Sequence, residues 1–253
     1  MKRLVLITGG TSGIGLGAAK SLGPTHEFAL VYAGNHEKAE AARKELEALD
    51  IAAKCYAAPL KNYEDCKALF TDVTKDFGRS PDILVNSHGR IQDGLFMGSD
   101  FRNHVAIIEE LLIVTMGLCQ LAMKPMYGAR WGRIINLSSI SAFYAKRGQA
   151  NYAAAKAGIV GFSKTLALEV AHRGVTVNVI SPGLIETPMT EGILSKFQAT
   201  DASELKRRVP AGYAGAPSDV GALVKFLASE EARYITGANF VIDGGRSLGD
   251  SGS

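Results

Sequence analysis

Seven short apolar runs recur along the 253-residue chain, with helix-patterned stretches between them: Leu4–Ile7, Phe28–Tyr32, Lys54–Ala58, Ile83–Asn86, Arg133–Leu137, Val175–Ile180 and Phe240–Asp243. Most lack polar alternation, the pattern of strands covered by helices on both faces. The stretch Glu37–Leu49 puts Ala39, Ala42, Leu46 and Leu49 on one helical stripe, with Lys and Glu opposite. Strands alternating with helices imply βαβ units in a doubly wound, seven-stranded parallel sheet. No repeat or low-complexity linker divides the sequence, so residues 1–253 are expected to form one domain. Residues 190–208, helical and set between Gly/Pro-rich stretches, are expected to form a lid, and residues 244–253 a mobile tail.

Composition narrows the class. Apolar residues make up 47%, and 28 Lys plus Arg against 25 Asp plus Glu leave a charge of +3. That apolar content excludes intrinsic disorder, and so small and scattered a charge leaves no footprint for nucleic acid. No unbroken apolar run reaches the roughly 20 residues that span a bilayer. The apolar start stops at Thr8-Gly9-Gly10, too soon for a signal peptide. Three cysteines (Cys55, Cys66, Cys119) without metal-ligand spacing suit a reducing cytoplasm. The expectation is a cytoplasmic protein, without a membrane, nucleic acid or metal as partner.

The first run leads directly into Thr8-Gly9-Gly10-Thr11-Ser12-Gly13-Ile14-Gly15 and then a helix. Glycines there permit a sharp turn and let a pyrophosphate approach the helix N-terminus, the signature of a dinucleotide site; the ordinary alternative is a tight turn without a ligand. An acid ending the second strand would bind the adenosine ribose hydroxyls and select NAD. The strand ends instead Val31-Tyr32-Ala33-Gly34-Asn35, so a 2′-phosphate meets no carboxylate and has Asn35 or Thr11, with Lys38 nearby. No arginine stands there, and the sequence favours NADPH over NADH on the missing acid alone.

Tyr152 and Lys156 lie four apart, on one helical face. An ammonium beside a phenol makes it a usable proton donor at neutral pH. Tyr63 and Lys67 share that spacing without further context, whereas Ser139 precedes Tyr152 by thirteen residues, just past the run Arg133–Leu137, where its hydroxyl can meet a substrate carbonyl.

With these residues in place, the whole chain resembles a short-chain dehydrogenase/reductase of the single-domain, Rossmann-type kind. The resemblance rests on Thr8–Gly15, Asn86-Ser87-His88-Gly89, Ser139, Tyr152 with Lys156, Pro182–Thr187 and Asp243-Gly244-Gly245. Gln92–Met97, Gly148–Gly158 and Tyr234–Gly237 resemble the 3-oxoacyl-[acyl-carrier-protein] reductases. The resemblance implies that Ser139 binds a substrate ketone, Tyr152 protonates its oxygen as hydride arrives, and Lys156 holds the nicotinamide ribose and lowers the Tyr152 pKa. It also implies cofactor contacts at Gly9, Thr11, Ser12, Gly13, Ile14, Gly15, Tyr32, Asn35, Leu60, Asn86, Gly89, Ile185 and Thr187. The activity it implies is NADPH-dependent reduction of a 3-oxoacyl thioester on an acyl carrier protein, in fatty-acid or polyketide/polyene-type biosynthesis. Another alcohol, sugar or steroid dehydrogenase and a weakly catalytic nucleotide-binding scaffold stay open; the retained Ser139, Tyr152 and Lys156 argue against the scaffold.

Three departures stand out. Leu111 takes the place of the family's fourth catalytic residue, an Asn thought to hold a water linking the Lys to solvent, and Leu cannot hydrogen-bond. The usual Asn-Asn-Ala-Gly is Asn86-Ser87-His88-Gly89, where His88 either packs against a strand end or supplies a titratable relay near neutrality. Pro59-Leu60 replaces an acid or amide after the third strand, which leaves mainly apolar adenine contacts. These changes point to a specialised branch. Arg130 and Arg173 match arginines that in the acyl reductases lie near the active-site entrance, so they are either carrier-docking residues or simply solvated. Surplus apolar residues on Phe101–Tyr127 and on the Tyr152 helix point to a homodimer or homotetramer.

Overall fold

The computed structural model describes residues 2–200 and 202–249. Its seven strands are β1 (Arg3–Thr8), β2 (His26–Tyr32), β3 (Ala52–Ala57), β4 (Ile83–Asn86), β5 (Gly132–Leu137), β6 (Val175–Pro182) and β7 (Asn239–Ile242). They form one parallel sheet in the order β3-β2-β1-β4-β5-β6-β7. This is the expected Rossmann-type arrangement, with each strand within two residues of its sequence prediction. The order reverses between β1 and β4, and such a reversal opens a crevice beyond the carboxyl ends of the strands.

Helices α1 (Gly13–Leu22), α2 (His36–Glu47) and α9 (Pro217–Ala228) pack on one face through Ala18, Leu22, Leu46 and Val224. Helices α3 (Tyr63–Phe77), α5 (Val114–Ala129) and α6 (Ala150–Val170) pack on the other through Leu69, Leu118, Met126 and Leu166. The continuous helix Phe101–Ala129 contains an 18-residue window of mean hydropathy 1.9, enough to cross a membrane by length and composition. A count of unbroken apolar runs misses it because polar residues punctuate the helix. Leu118, Cys119, Ala122 and Met126 are nevertheless buried in the core beneath the sheet. This helix is not regular: α4 (Phe101–Ile108) and α5 are joined by a π turn, Glu109–Ile113.

The segment 190–208, read from the sequence as a helical lid, carries α7 (Glu191–Thr200) and α8 (Ala202–Arg208), residue 201 lying outside the described residues. In the tail, the Asp243 carboxylate accepts the N–H groups of Gly245 (2.9 Å) and Ser247 (2.7 Å) and organises a short 3-10 turn, Arg246–Leu248; residues 250–253 lie outside the described residues.

Backbone approach sets where α1 lies. A Cβ added at Gly17 would fall 2.7 Å from the Pro217 carbonyl oxygen, and one at Gly221 would fall 2.6 Å from the Gly17 oxygen. Helix α1 therefore rests directly on α9, and its N-terminus is aimed by that contact. Gly17→Ala should lose about 2 kcal/mol of stability by overpacking, measurable by urea unfolding.

Candidate active site

A cleft of about 370 Å³ lies over the β1/β4 reversal, lined by Gly9, Ser12 and Gly13 of the glycine loop and by Tyr152, Lys156 and Thr187, with Thr187 packed beside Gly13. Ser12, in extended backbone, starts α1 without a side-chain cap, and the first turn carries no acid. The turn's free N–H groups and the positive end of the helix dipole therefore stay available to an anion. Gly13 has φ +49°, and a Cβ at Gly15 would lie 2.3 Å from the Gly9 oxygen, so the loop closes to this radius only with glycine. The residues present fit a dinucleotide: a pyrophosphate cradle without side chains, flanked by a half-buried Tyr32 and by Ala58, Pro59 and Leu60. Leu60 is buried with φ +46°, a conformation that a non-glycine residue keeps only when its surroundings impose it.

The expected cofactor residues divide. Gly9, Ser12, Gly13, Ile14, Tyr32, Leu60, Gly89, Tyr152, Lys156 and Thr187 line the cleft. Thr11, Gly15, Asn35, Asn86 and Ile185 do not. Asn35 Oδ1 is used as the cap of α2, accepting the Lys38 N–H at 2.8 Å. Asn86 turns inward: its amide donates to Asn136 Oδ1 (2.8 Å), and Asn136 donates to Ser163 Oγ (2.9 Å), tying β4, β5 and α6 together under the site. Ile185 is buried and bridges to Gly215, while its carbonyl accepts the Thr190 hydroxyl.

Ser139 Oγ accepts the Ser141 N–H at 3.1 Å and stands close enough to Tyr152 to draw its pKa down. Tyr152 is almost buried, packed with Ile107, Leu111 and Ala155. Burial pushes its phenol up to about 12; Ser139 opposes this and Asp93 adds to it. The expected lowering by Lys156 is not what dominates here. The Lys156 ammonium lies 5.7 Å from the Tyr152 ring centre and donates to the Leu137 carbonyl at 2.8 Å. Its own pKa falls to about 8, because burial disfavours the charge. The pair Tyr63 and Lys67, with the same spacing, lies on an open face of α3, where Lys67 bonds Glu64 at 2.6 Å.

Of the two readings of His88, a packed ring or a neutral-pH relay, its bonds favour the first. Its Nε2–H donates to the Glu110 carbonyl at 3.0 Å, which leaves Nδ1 to accept the Thr8 hydroxyl at 2.8 Å. Burial, reinforced by the Lys156 charge, lowers its pKa to about 4. Both ring nitrogens are committed and the ring is neutral. The π turn explains the partner: the Val114 N–H bonds the Glu109 carbonyl instead of the Glu110 carbonyl that an α turn would give it, and His88 takes the released oxygen. Leu111, inside that turn, is an apolar wall beside Tyr152.

Among the cleft residues that sequence reasoning did not single out are Arg90 and Glu110, paired at 2.6 Å. Arg90 follows Gly89 and had a positional clue; Glu110 reaches the cleft only through the π turn. Arg130 and Arg173 stand elsewhere than expected. They precede β5 and β6 and so lie at the amino ends of the strands, opposite the cleft. Arg130 caps α5 with φ +55°, and Arg173 stacks 4.2 Å over the Tyr127 ring.

A family model described as enoyl-(acyl carrier protein) reductase matches residues 9–247. The chain is 38% identical over 246 residues to a 3-oxoacyl-[acyl-carrier-protein] reductase of Haemophilus influenzae, covering 97% of this chain and 98% of that protein. It is 38% identical over 245 residues to one of Thermotoga maritima (96% and 97%), and 37% identical over 243 residues to one of Vibrio cholerae (96% and 96%). The chain belongs to the short-chain dehydrogenase/reductase family. It is an oxidoreductase.

The His88 bonds have a measurable consequence. Unfolding restores the ordinary His pKa near 6.5, so between pH 6.5 and 4 the unfolded chain takes up a proton that the native chain refuses. Stability should fall over that window by on the order of 2–3 kcal/mol from this residue. His88→Gln should reduce that dependence in chemical unfolding at stepped pH, and turnover should show no ionisation near 6.5 in either protein.

Proposed function

We propose that the chain is a cytoplasmic, single-domain, NADPH-dependent reductase of 3-oxoacyl thioesters held on an acyl carrier protein, yielding the 3-hydroxyacyl thioester for fatty-acid or polyketide/polyene-type synthesis. The observation that carries it is that Tyr152 and Lys156, with Ser139 beside Tyr152, line the same cleft as Gly9, Ser12 and Gly13 of the glycine loop. The relatives' names support the substrate class.

Bound NADPH would supply the hydride. Gly9, Ser12, Gly13 and Ile14 would hold its pyrophosphate, with Tyr32 and Leu60 beside the adenosine and Thr187 beside the nicotinamide. The Ser139 hydroxyl would orient the ketone. Tyr152, kept protonated by burial, would give its proton to the oxygen as negative charge develops there, a preorganised donor of the kind that lowers barriers most. Lys156, charged below pH 8 in the free chain, would bond the ribose and stabilise the resulting phenolate. Arg130 and Arg173 would serve carrier docking only from a neighbouring subunit of a dimer or tetramer, because their own cleft lies at the other end of the sheet.

The test measures steady-state reduction of a 3-oxoacyl thioester with NADPH and with NADH, alongside a trans-2-enoyl thioester. The expected result is ketone reduction with NADPH preferred; reduction of the enoyl substrate alone would overturn the reading. Tyr152→Phe should leave under a tenth of turnover while NADPH still binds in a fluorescence titration. Asn35→Asp keeps the cap of α2, since Asp caps as well as Asn, and should shift the KM ratio toward NADH by repelling the 2′-phosphate.

A further inference from the structure

The cleft carries an ion pair that the mechanism above does not use. Arg90 and Glu110 both line it, and Glu110 Oε2 accepts the Arg90 Nε–H at 2.6 Å. Arg90 Nη1 also donates to Gln92 Oε1 at 2.8 Å, so the guanidinium is fixed from two sides. The π turn sets where the carboxylate stands, because His88 Nε2 holds the Glu110 carbonyl at 3.0 Å. Among the described residues no donor reaches the second carboxylate oxygen, Oε1.

The packing of α3 on α5 brings this pair beside the apolar shelf of Ala58, Pro59 and Leu60, which lines the same cleft. A Cβ on Gly117 would meet the Tyr63 ring at 2.8 Å, and the Cys66 thiol donates to the Val114 carbonyl at 3.8 Å. Leu60 and Val114 belong to one buried cluster. The shelf runs into the start of α3 and the π turn into the start of α5, so these contacts set the two side by side. The Lys61 N–H bonds Asp65 Oδ2 at 2.7 Å and Asn62 caps α3, which holds the shelf and keeps Leu60 at φ +46°. The shelf brings no polar side chain. The Tyr32 hydroxyl is engaged with His36 Nδ1 at 2.8 Å, and both nitrogens of His88 are committed. Ser87 also lines the cleft, but a hydroxyl donates or accepts and so discriminates between neither kind of ring edge. Glu110 Oε1 is the acceptor left beside the shelf. A phosphate does not suit the pair, since the Arg90 charge is already met and the carboxylate repels an anion. A neutral group that donates an N–H does.

We infer that Glu110, fixed by Arg90, reads the adenine ring of the dinucleotide by accepting an N–H of its exocyclic amine. The inference rests on the dinucleotide reading of the cleft and is independent of the thioester substrate. An ionised carboxylate only accepts, so the subsite selects a ring with an amino group and rejects one with an oxygen in that place. Hypoxanthine is such a ring: its oxygen would face Glu110 Oε1, two acceptors without a proton between them. Glu110 is thus a specificity residue for the base of the cofactor, at a shelf whose own side chains are apolar.

The test titrates the protein, with no thioester present, with NADPH and with its hypoxanthine analogue, following the fluorescence of the reduced nicotinamide. Wild type should bind the analogue about tenfold more weakly, the size of one charge-assisted bond. Glu110→Gln, whose amide can turn either an acceptor or a donor to the ring, should bring the two dissociation constants together. Glu110→Ala should also bring them together, by weakening NADPH to the level of the analogue. Equal binding of the two cofactors by wild type would overturn the subsite, as would a discrimination that survives in either variant. Equal binding in a protein that reduces 3-oxoacyl thioesters with NADPH would sink the subsite and leave the reductase standing. Discrimination that depends on Glu110, in a protein that reduces no such thioester, would sink the substrate assignment and leave the subsite standing. Binding of neither cofactor would overturn both.

Discussion

The Thr8 hydroxyl joins the parts of the site. It accepts the N–H groups of Ser87 (3.0 Å) and His88 (3.2 Å) and donates to His88 Nδ1, while His88 holds the Glu110 carbonyl. The end of β1, the end of β4 and the π turn are thereby fixed to one another at the point where the strand order reverses. The glycine loop begins at Thr8, Gly89 begins beside His88, and Leu111 follows Glu110. Three of the segments that line the cleft start from this one network. All three of its acceptor and donor positions on Thr8 are filled, which is why the His88 ring is neutral and rigid.

Burial then sets the chemistry. Tyr152 and Lys156 are taken out of water by Leu111, Ile107 and Ala155 and by the strand end at Leu137. A buried phenol keeps its proton and a buried ammonium parts with its proton more readily, so two pKa values that are nearly equal in water move apart, to about 12 and about 8. A bound negative oxygen between them would be stabilised by groups already oriented, without water to reorganise. Leu111 contributes to this as an apolar wall in a place where the family has an amide.

Much of the site was legible in the chain. Bare apolar runs identify covered parallel strands because such strands need no polar face, and a glycine cluster straight after the first one signals a cradle because only glycine closes that loop. The context around Tyr152 separated it from Tyr63, and the structure buries the first and exposes the second. What remained hidden depended on partners distant in sequence. Nothing near Asn86 shows that it turns to Asn136, fifty residues on, instead of toward a cofactor. Asn35 served a helix cap that local sequence allows equally with a ligand contact.

The sequence by itself determined the class of fold and singled out the glycine loop and the Ser139, Tyr152 and Lys156 set, because periodicity, short-range spacing and likeness to a family are all read along the chain. Tertiary structure alone decided which end of the sheet each arginine occupies. Arg130 and Arg173 precede strands and Arg90 follows one, and in a parallel sheet that difference places them at opposite ends. It also decided that His88 is a neutral clamp, because its pKa and both its bonds come from Thr8, Glu110 and Lys156, brought around it only by the packing of β1, the π turn and α6.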